Sequence, residues 1–259
     1  MPGCCAQTHP GLRRTNNEDS YCARPDLGLF AVADGLGGHA GGELASRIAV
    51  QALAAVIAGT VDPVEAAQHN IRAAGGDAEA LLLDAVALAQ VRLSHAEAED
   101  AALRGMATTI AAVLLDGWSP GGGRDAVVAP VGDSRVYLMR AGGLTQLTRD
   151  HSWVEEQVRA GLLARDAAAA HPWRSLITRA VSAADDEVQP ELSRVTLSPG
   201  DRLLLCSDGL SSVIADEQIA SVLGQELEAD AAETICESLV HMANLAGGPD
   251  NITVIVVTL

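Results

Sequence analysis

The chain contains no lysine; all 17 of its basic residues are arginine. That excludes a P-loop nucleotidase, a kinase active site and a Schiff-base enzyme together, because each needs a lysine amine. Any anion handled here must meet arginine, a metal ion or backbone N–H groups. Aromatic residues are nearly missing too, at 2% of the composition, while hydrophobic residues make up 48%. The core must therefore be built from Ala, Val, Leu and Ile, and disorder over most of the length is not expected. No uninterrupted run of about eighteen apolar residues occurs, so no membrane span is expected. The N-terminal MPGCCAQTHPGLRR lacks the apolar stretch of a secretory signal. The five cysteines form no CxxC pair and are odd in number. A disulfide framework or structural zinc site is not expected, and a reducing cytoplasm is the simplest compartment. Positive charge is scarce overall: the net charge of −17 argues against nucleic acid as a partner.

What is present reads as one domain over residues 1–259, with no linker and no internal repeat. Residues 42–58 and 78–100 carry apolar residues at helical spacing, the second run following the Gly75-Gly76-Asp77 break. Short apolar runs at 108–116, 125–132 and 135–143, separated by turn-rich pieces, read as strands. GGGR at 121–124 suits a hairpin turn better than a phosphate loop, since no helix start follows it. A polar helical stretch, clearest at HSWVEEQVRAGL, gives way to strands at ELSRVTL, DRLLLCS and NITVIVVTL, with a helix over 229–246. Strands and helices grouped in this way imply α+β with mostly antiparallel sheets.

Four places share a pattern: an apolar strand, then an acid, then a small or turn-forming neighbour. They are FAVADGLGG (Asp34), APVGDSRVYL (Asp133), LLLCSDGL (Asp208) and GGPDNITVIVV (Asp250), and the pair Glu18-Asp19 stands near the start. Taken singly, each acid reads as a turn former. Taken together, carboxylates set among apolar neighbours that exclude water are costly unless cations meet them. Oxygen-only ligands suit hard divalent ions, Mg²⁺ or Mn²⁺, rather than zinc. A glycine after the aspartate lets the backbone turn its carbonyl towards such an ion. A pair of these ions is suited to hydrolysis at phosphorus by an activated water. Arg13 or Arg14, just before Glu18-Asp19, has the planar donors a phosphate wants, although from spacing alone either reads first as a solvated surface charge.

Other phosphate chemistries lack their residues. No cysteine has an arginine six positions on, no two aspartates are two apart, and the seven histidines show no HExxH pair.

The pieces RRTNNEDS, AVADGLGGHAGGE, MATTIAAVLL, VGDSRVYL, LTRDHSWVEEQVRAG, LLLCSDGLSSVI and GGPDNITVIVV, in this order, resemble bacterial members of the metal-dependent protein phosphatase family (PPM, or type 2C). The resemblance spans about residues 11–258. It implies a four-layer α-β-β-α sandwich with two Mn²⁺ or Mg²⁺ ions, and a third held more weakly, at one end of two sheets. Asp34 is expected to bridge two ions, with the Gly35 carbonyl on one and Asp208 and Asp250 completing the other. Asp19, and at one remove Glu18, would act through water, Asp133 would serve the third ion, and Asn251 would orient Asp250. Arg14 matches the phosphate-binding arginine, standing five residues before Asp19. The implied reaction is hydrolysis of phosphoserine or phosphothreonine in proteins by a metal-activated water, opposing a serine/threonine kinase. A catalytically silent ligand-sensing module on the same fold, and a small-metabolite phosphatase, are the alternatives. The chain departs from eukaryotic relatives in having Leu36 where a proton-donating His can follow Asp-Gly; His39 comes three residues later. Residues 150–187 match the family's variable flap, where Trp173 and Arg174 are candidates for substrate contact. Ending at its last strand, the chain is expected to be a free-standing, monomeric cytoplasmic domain.

Overall fold

The structure, a computed structural model, describes residues 3–38, 40–72, 76–118, 123–184, 188–225 and 231–259. The chain opens with strands β1 (Gly3–His9), β2 (Asp19–Arg24) and β3 (Leu29–Leu36). Helices α1 (Ala40–Ala58), α2 (Pro63–Gln68) and α3 (Ala78–Glu99) follow. Next come β4 (Ala107–Thr108), β5 (Ile110–Trp118), β6 (Arg124–Val131), β7 (Arg135–Arg140) and β8 (Gly143–Gln146). A flap-like segment holds α4 (Trp153–Arg159), α5 (Arg165–Ala169) and β9 (Val181–Ser182). The chain closes through β10 (Ser193–Leu197), β11 (Arg202–Cys206), α6 (Asp208–Ser211), α7 (Asp216–Leu223), α8 (Ala231–Leu245) and β12 (Ile252–Thr258).

Two antiparallel sheets result. One runs β1-β12-β11-β7-β8; the other runs β10-β6-β5-β3-β4-β9, with β2 also paired to β3. Successive strand residues point to opposite faces, and here both faces are covered. Phe30 and Val32 of β3 meet Leu203, Leu205, Ile255 and Val257 between the sheets. Leu29, Ala31 and Ala33 of the same strand turn outward under α1 and α3. Leu204 and Cys206 turn the other way, under α7 and α8. Three apolar layers thus separate four layers of structure, α-β-β-α. Each fully buried Leu or Val adds about 1.5–3 kcal/mol.

The expected helices over 42–58, 78–100 and 229–246 are α1, α3 and α8. Asp77 caps α3, its side chain accepting from Ala80 N at 2.8 Å. β5 and β6 pair antiparallel on either side of the GGGR stretch, in which 121–122 lie outside the described residues. Segment Gly41–Ala58 of α1 is, among the described residues, the one helix long and apolar enough to cross a membrane. Its Ala45, Ala49, Ala52, Leu53 and Val56 are buried against the sheet and α3, as a core helix requires.

The strand directions gather the acids. Asp34 ends β3, Asp19 begins the antiparallel β2, and Asp133 follows β6, which runs parallel to β3 through β5. In the other sheet Asp208 follows β11. Asp250 departs from the strand-then-acid pattern: it precedes β12. Because β11 and β12 are antiparallel, the two acids still share an edge.

Candidate metal centre

Asp19 and Asp34 are register partners across β2 and β3. The Asp34 backbone is fixed from the neighbouring strand: its N–H donates to Thr109 Oγ1 at 3.0 Å, and its carbonyl accepts from Thr109 N and Thr108 Oγ1, both at 2.9 Å. Gly35 is not a conformational exception. Its N–H donates to the Glu18 carbonyl at 3.1 Å, and a Cβ there would run into the Gly42 carbonyl at the start of α1. The glycine after Asp208 has the same reason, since a Cβ on Gly209 would strike the Asn251 carbonyl. Both Asp-Gly pairs therefore permit close backbone approach around the acids.

The carboxylates lie within Coulombic reach of one another. Asp34 is pushed well above the usual carboxylate range by burial and then by Asp19, Asp208, Asp133 and Asp250. Burial pushes Asp19 up to about 7, against the stabilising hydrogen bonds of Thr253 and Ser207. Burial and Asp208 likewise push Asp133 up to about 7. Asp208 rises to about 6 through burial and Asp250, with Asp34 within hydrogen-bonding reach. Asp19 Oδ1 is buried with no hydrogen-bond partner. Buried, mutually repelling oxygen donors with one orphaned atom fit hard divalent cations. No three carboxylate, imidazole or thiol side chains among the described residues form a tight coordination cluster. Several oxygens are engaged elsewhere: Asp250 Oδ2 accepts from Arg14 at 2.7 Å, Asp250 Oδ1 from Asn251 N at 2.9 Å, and Asp19 Oδ2 from Ser207 Oγ at 2.8 Å.

Of the two candidate arginines, Arg14 is the one at the acids. Its guanidinium is half exposed and held charged by Asp250, which it contacts through Nη2. Asn251 does more than orient Asp250. Its backbone N–H reaches that carboxylate, but its side chain clamps the N-terminal loop: Oδ1 accepts from Glu18 N at 2.8 Å, and Nδ2 donates to Pro10 O and Asn16 O. Glu18 joins the site mainly through its backbone, while its Oε1 accepts from Asn16 Nδ2 at 3.0 Å. His39 lies outside the described residues.

Sequence reading missed a supporting layer. Ser207, Thr253, Thr108 and Thr109 hold the acids, and a hydroxyl at a strand end gives no signal of its partner. The Arg135–Asp150 pair is a second omission, although GDSR and RDHS carry it in plain view. Its Nη2 contacts Asp150 Oδ2 at 2.6 Å and Nη1 donates to Tyr137 OH at 2.9 Å. Burial alone would lower the Arg135 pKa, but Asp150 outweighs it and raises the value. His151 ties the same loop: its Nδ1 accepts from Gly132 N at 3.0 Å and its backbone N–H donates to Gly132 O at 2.8 Å. A cavity of about 280 Å³ opens beside the acids towards the flap, lined by Asp133, Asp208, Arg135, Asp150, Arg165 and Arg174.

Comparison with known proteins places this geometry. The family model described as protein phosphatase 2C matches residues 13–244. The serine/threonine protein phosphatase PstP of Mycobacterium tuberculosis is 40% identical over 251 residues. That alignment covers 97% of this chain and 44% of PstP, so the chain spans less than half of that relative's length. Protein phosphatase PhpP of Streptococcus pneumoniae is 36% identical, with 97% of this chain and 95% of PhpP covered. The solved catalytic domain of PstP in complex with two manganese ions superposes with a TM-score of 0.81 at 36% identity, covering 99% of this chain and 97% of that one. Fold, acid convergence and these relatives agree: the chain belongs to the protein phosphatase 2C family.

Proposed function

We propose that this chain hydrolyses phosphoserine and phosphothreonine in proteins, using Mn²⁺ or Mg²⁺ held by Asp34, the Gly35 carbonyl, Asp208 and Asp250. Asp19, whose Oδ1 is buried without a partner, would help hold those ions, and Asp133 would serve a further one. The observation that carries the reading is the meeting of aspartates from two sheets beside the Arg14 guanidinium: Asp19, Asp34, Asp133 and Asp208, raised in pKa by burial and neighbouring carboxylates, together with Asp250, which Arg14 contacts. Bound there, the ions supply charge neutralisation and activation of the attacking water.

The chain's own residues do the rest. Arg14 takes the phosphoryl oxygens through the donors on its exposed face while Nη2 stays on Asp250. Asn251 keeps the loop carrying Arg14 against the Asp250 edge. Thr108 and Thr109 hold Asp34 in place, so the phosphoryl group meets a site already organised. The manganese in the PstP catalytic domain and the protein phosphatase names of PstP and PhpP support the same activity here. Proteins phosphorylated by a serine/threonine kinase, including the kinase itself, are the partners this reading implies, met in the cytoplasm by a monomer.

The test is Mn²⁺-dependent phosphate release from a phosphothreonine peptide, compared with p-nitrophenyl phosphate and small phosphorylated metabolites. The peptide should be turned over, and Asp34→Ala and Asp208→Ala should each abolish activity on every substrate. Chelator-insensitive turnover, or near-normal rates in either variant, would refute the assignment. Exclusive turnover of metabolites would replace the substrate class.

A further inference from the structure

All five cysteines are free thiols, and two of them, far apart in the sequence, meet in the fold. Cys5 lies on β1 and Cys236 on α8. The Cys236 thiol donates to the Cys5 carbonyl at 3.3 Å, and the two side chains are themselves within hydrogen-bonding reach. Side chains alternate along β1, so Cys4 packs into the layer between the sheets while Cys5 packs under α8. Cys236 is fully buried, whereas Cys5, on an edge strand, keeps partial access to solvent. A small apolar residue would fill either place, but it would not set two sulfurs together with one of them open to a dissolved reagent.

The pair stands at one end of a longer seam between strand and helix. Further along, Asn244 Nδ2 reaches His9 Nδ1 at 3.4 Å, and beyond both elements Leu12 N donates to Gly248 O at 2.7 Å. The two elements keep pace: Cys5 to His9 along β1 and Cys236 to Asn244 along α8 each cover about 12–13 Å. At the other end of the seam Arg14 touches Asp250 at 2.7 Å. A bond between the two sulfurs would therefore fasten together the elements whose following loops carry Arg14 and Asp250.

We propose that Cys5 and Cys236 form an oxidative modification site, at which a hydroperoxide produces a reversible disulfide that staples β1 to α8. The Cys5 sulfur attacks the terminal peroxide oxygen, the O–O bond breaks, and Cys5 becomes a sulfenic acid while the peroxide leaves as alcohol or water. The Cys236 sulfur then attacks the Cys5 sulfur, the S–O bond breaks, and the departing hydroxide takes the Cys236 proton as water. Two thiols are oxidised and one peroxide is reduced. Burial pushes both thiols up, so neither scavenges peroxide quickly; proximity selects the pair.

The test treats the full chain with excess hydrogen peroxide, blocks the remaining thiols, and reads free-thiol number, peptide cross-links and Tm, none of which depends on phosphatase activity. Two of the five thiols should be lost to a Cys5–Cys236 link. Tm should rise about 5–10 °C and return on adding dithiothreitol. Cys4→Ser should behave as the wild type does. Cys5→Ser and Cys236→Ala should each abolish both changes, and Cys5→Ser, at the partly exposed position, serves alone if Cys236→Ala folds poorly. Survival of all five thiols, a Cys5 that runs on to sulfinic acid without a cross-link, or a link that leaves Tm unchanged overturns the proposal.

Discussion

Ser207 Oγ donates a 2.8 Å hydrogen bond to Oδ2 of Asp19, whereas Oδ1 of the same carboxylate is buried without a partner. The hydroxyl's direction is set from behind, because Thr253 N donates to the same Oγ at 3.0 Å. One strand edge of the first sheet thereby aims a carboxylate of the second. Ser207→Ala should weaken Mn²⁺ binding about 10- to 100-fold, as loss of a supporting hydrogen bond does. It should also destabilise the metal-free protein by about 1–3 kcal/mol, since Asp19 and Thr253 N both lose a partner. Calorimetric titration of the chelator-stripped protein reads the first effect and thermal unfolding the second; unchanged Mn²⁺ affinity would exclude Asp19 from the centre.

Stability should fall with rising pH in the metal-free protein, and bound metal should remove that fall. Asp19 and Asp133 rise to about 7, and Asp208 to about 6, from an ordinary 3.8. A group with a raised folded-state pKa binds protons more tightly when folded. Its contribution is full below 3.8 and fades as pH rises through about 6–7. The chelated protein should therefore lose part of its stability between about pH 4 and pH 7 from these groups. Cations that pair with the ionised carboxylates remove that loss, so the rise in Tm on adding Mn²⁺ should be larger at pH 8 than at pH 5.5. Equal increments at the two pH values would mean that Mn²⁺ does not bind these acids.

Much of the architecture was legible because both faces of the central strands are buried. DRLLLCS and NITVIVV read as unbroken apolar runs for that reason, and their positions hold. β1 escaped notice because GCCAQTH is a half-exposed edge strand whose partner, β12, lies at the other end of the chain. The helix α7 was overlooked although Ile219, Val222 and Leu223 carry helical spacing; two turns give a weak period. The convergence of the acids could be anticipated, but the placement of Asp250 before its strand could not, because edges are shared only once strand directions are known. The residues alone leave Arg13 and Arg14 open and only the family resemblance selects Arg14, while the clamp formed by Asn251 depends on a loop whose path only tertiary contacts determine.

Arg14 and Arg13 should separate cleanly in kinetics. Arg14 touches Asp250 and can keep donors free for phosphate, so Arg14→Ala should raise KM for p-nitrophenyl phosphate about 10- to 100-fold, the value of one charge-assisted contact. The effect on kcat should be smaller. Arg13→Ala should stay close to wild type. A KM effect confined to Arg13→Ala would shift the phosphate-binding residue by one position.

Arg135, two residues from Asp133, offers a stability test at a residue that is not itself a proposed metal ligand. Its guanidinium spans from Asp150, through contacts at 2.6, 3.0 and 3.1 Å, to Tyr137 OH, which in turn donates to Asp216 Oδ1 at 3.1 Å. The Arg135 and Asp150 side chains are 24% and 15% exposed, so water can repair little of what a truncation removes. Arg135→Ala leaves a mostly buried Asp150 carboxylate whose remaining partner is Gln146 Nε2 at 2.9 Å, together with a Tyr137 hydroxyl short of a donor. Breaking one side of such a pair costs about 3–5 kcal/mol, whereas replacing both partners by apolar groups of similar volume can be nearly neutral. Arg135→Ala should therefore unfold at a clearly lower denaturant concentration, and Arg135→Met combined with Asp150→Leu should recover much of the loss. If the double variant is no more stable than the single one, the pair's worth lies in holding the Gly132–Ser134 loop and the flap together, and Mn²⁺ affinity should then fall in both variants alike.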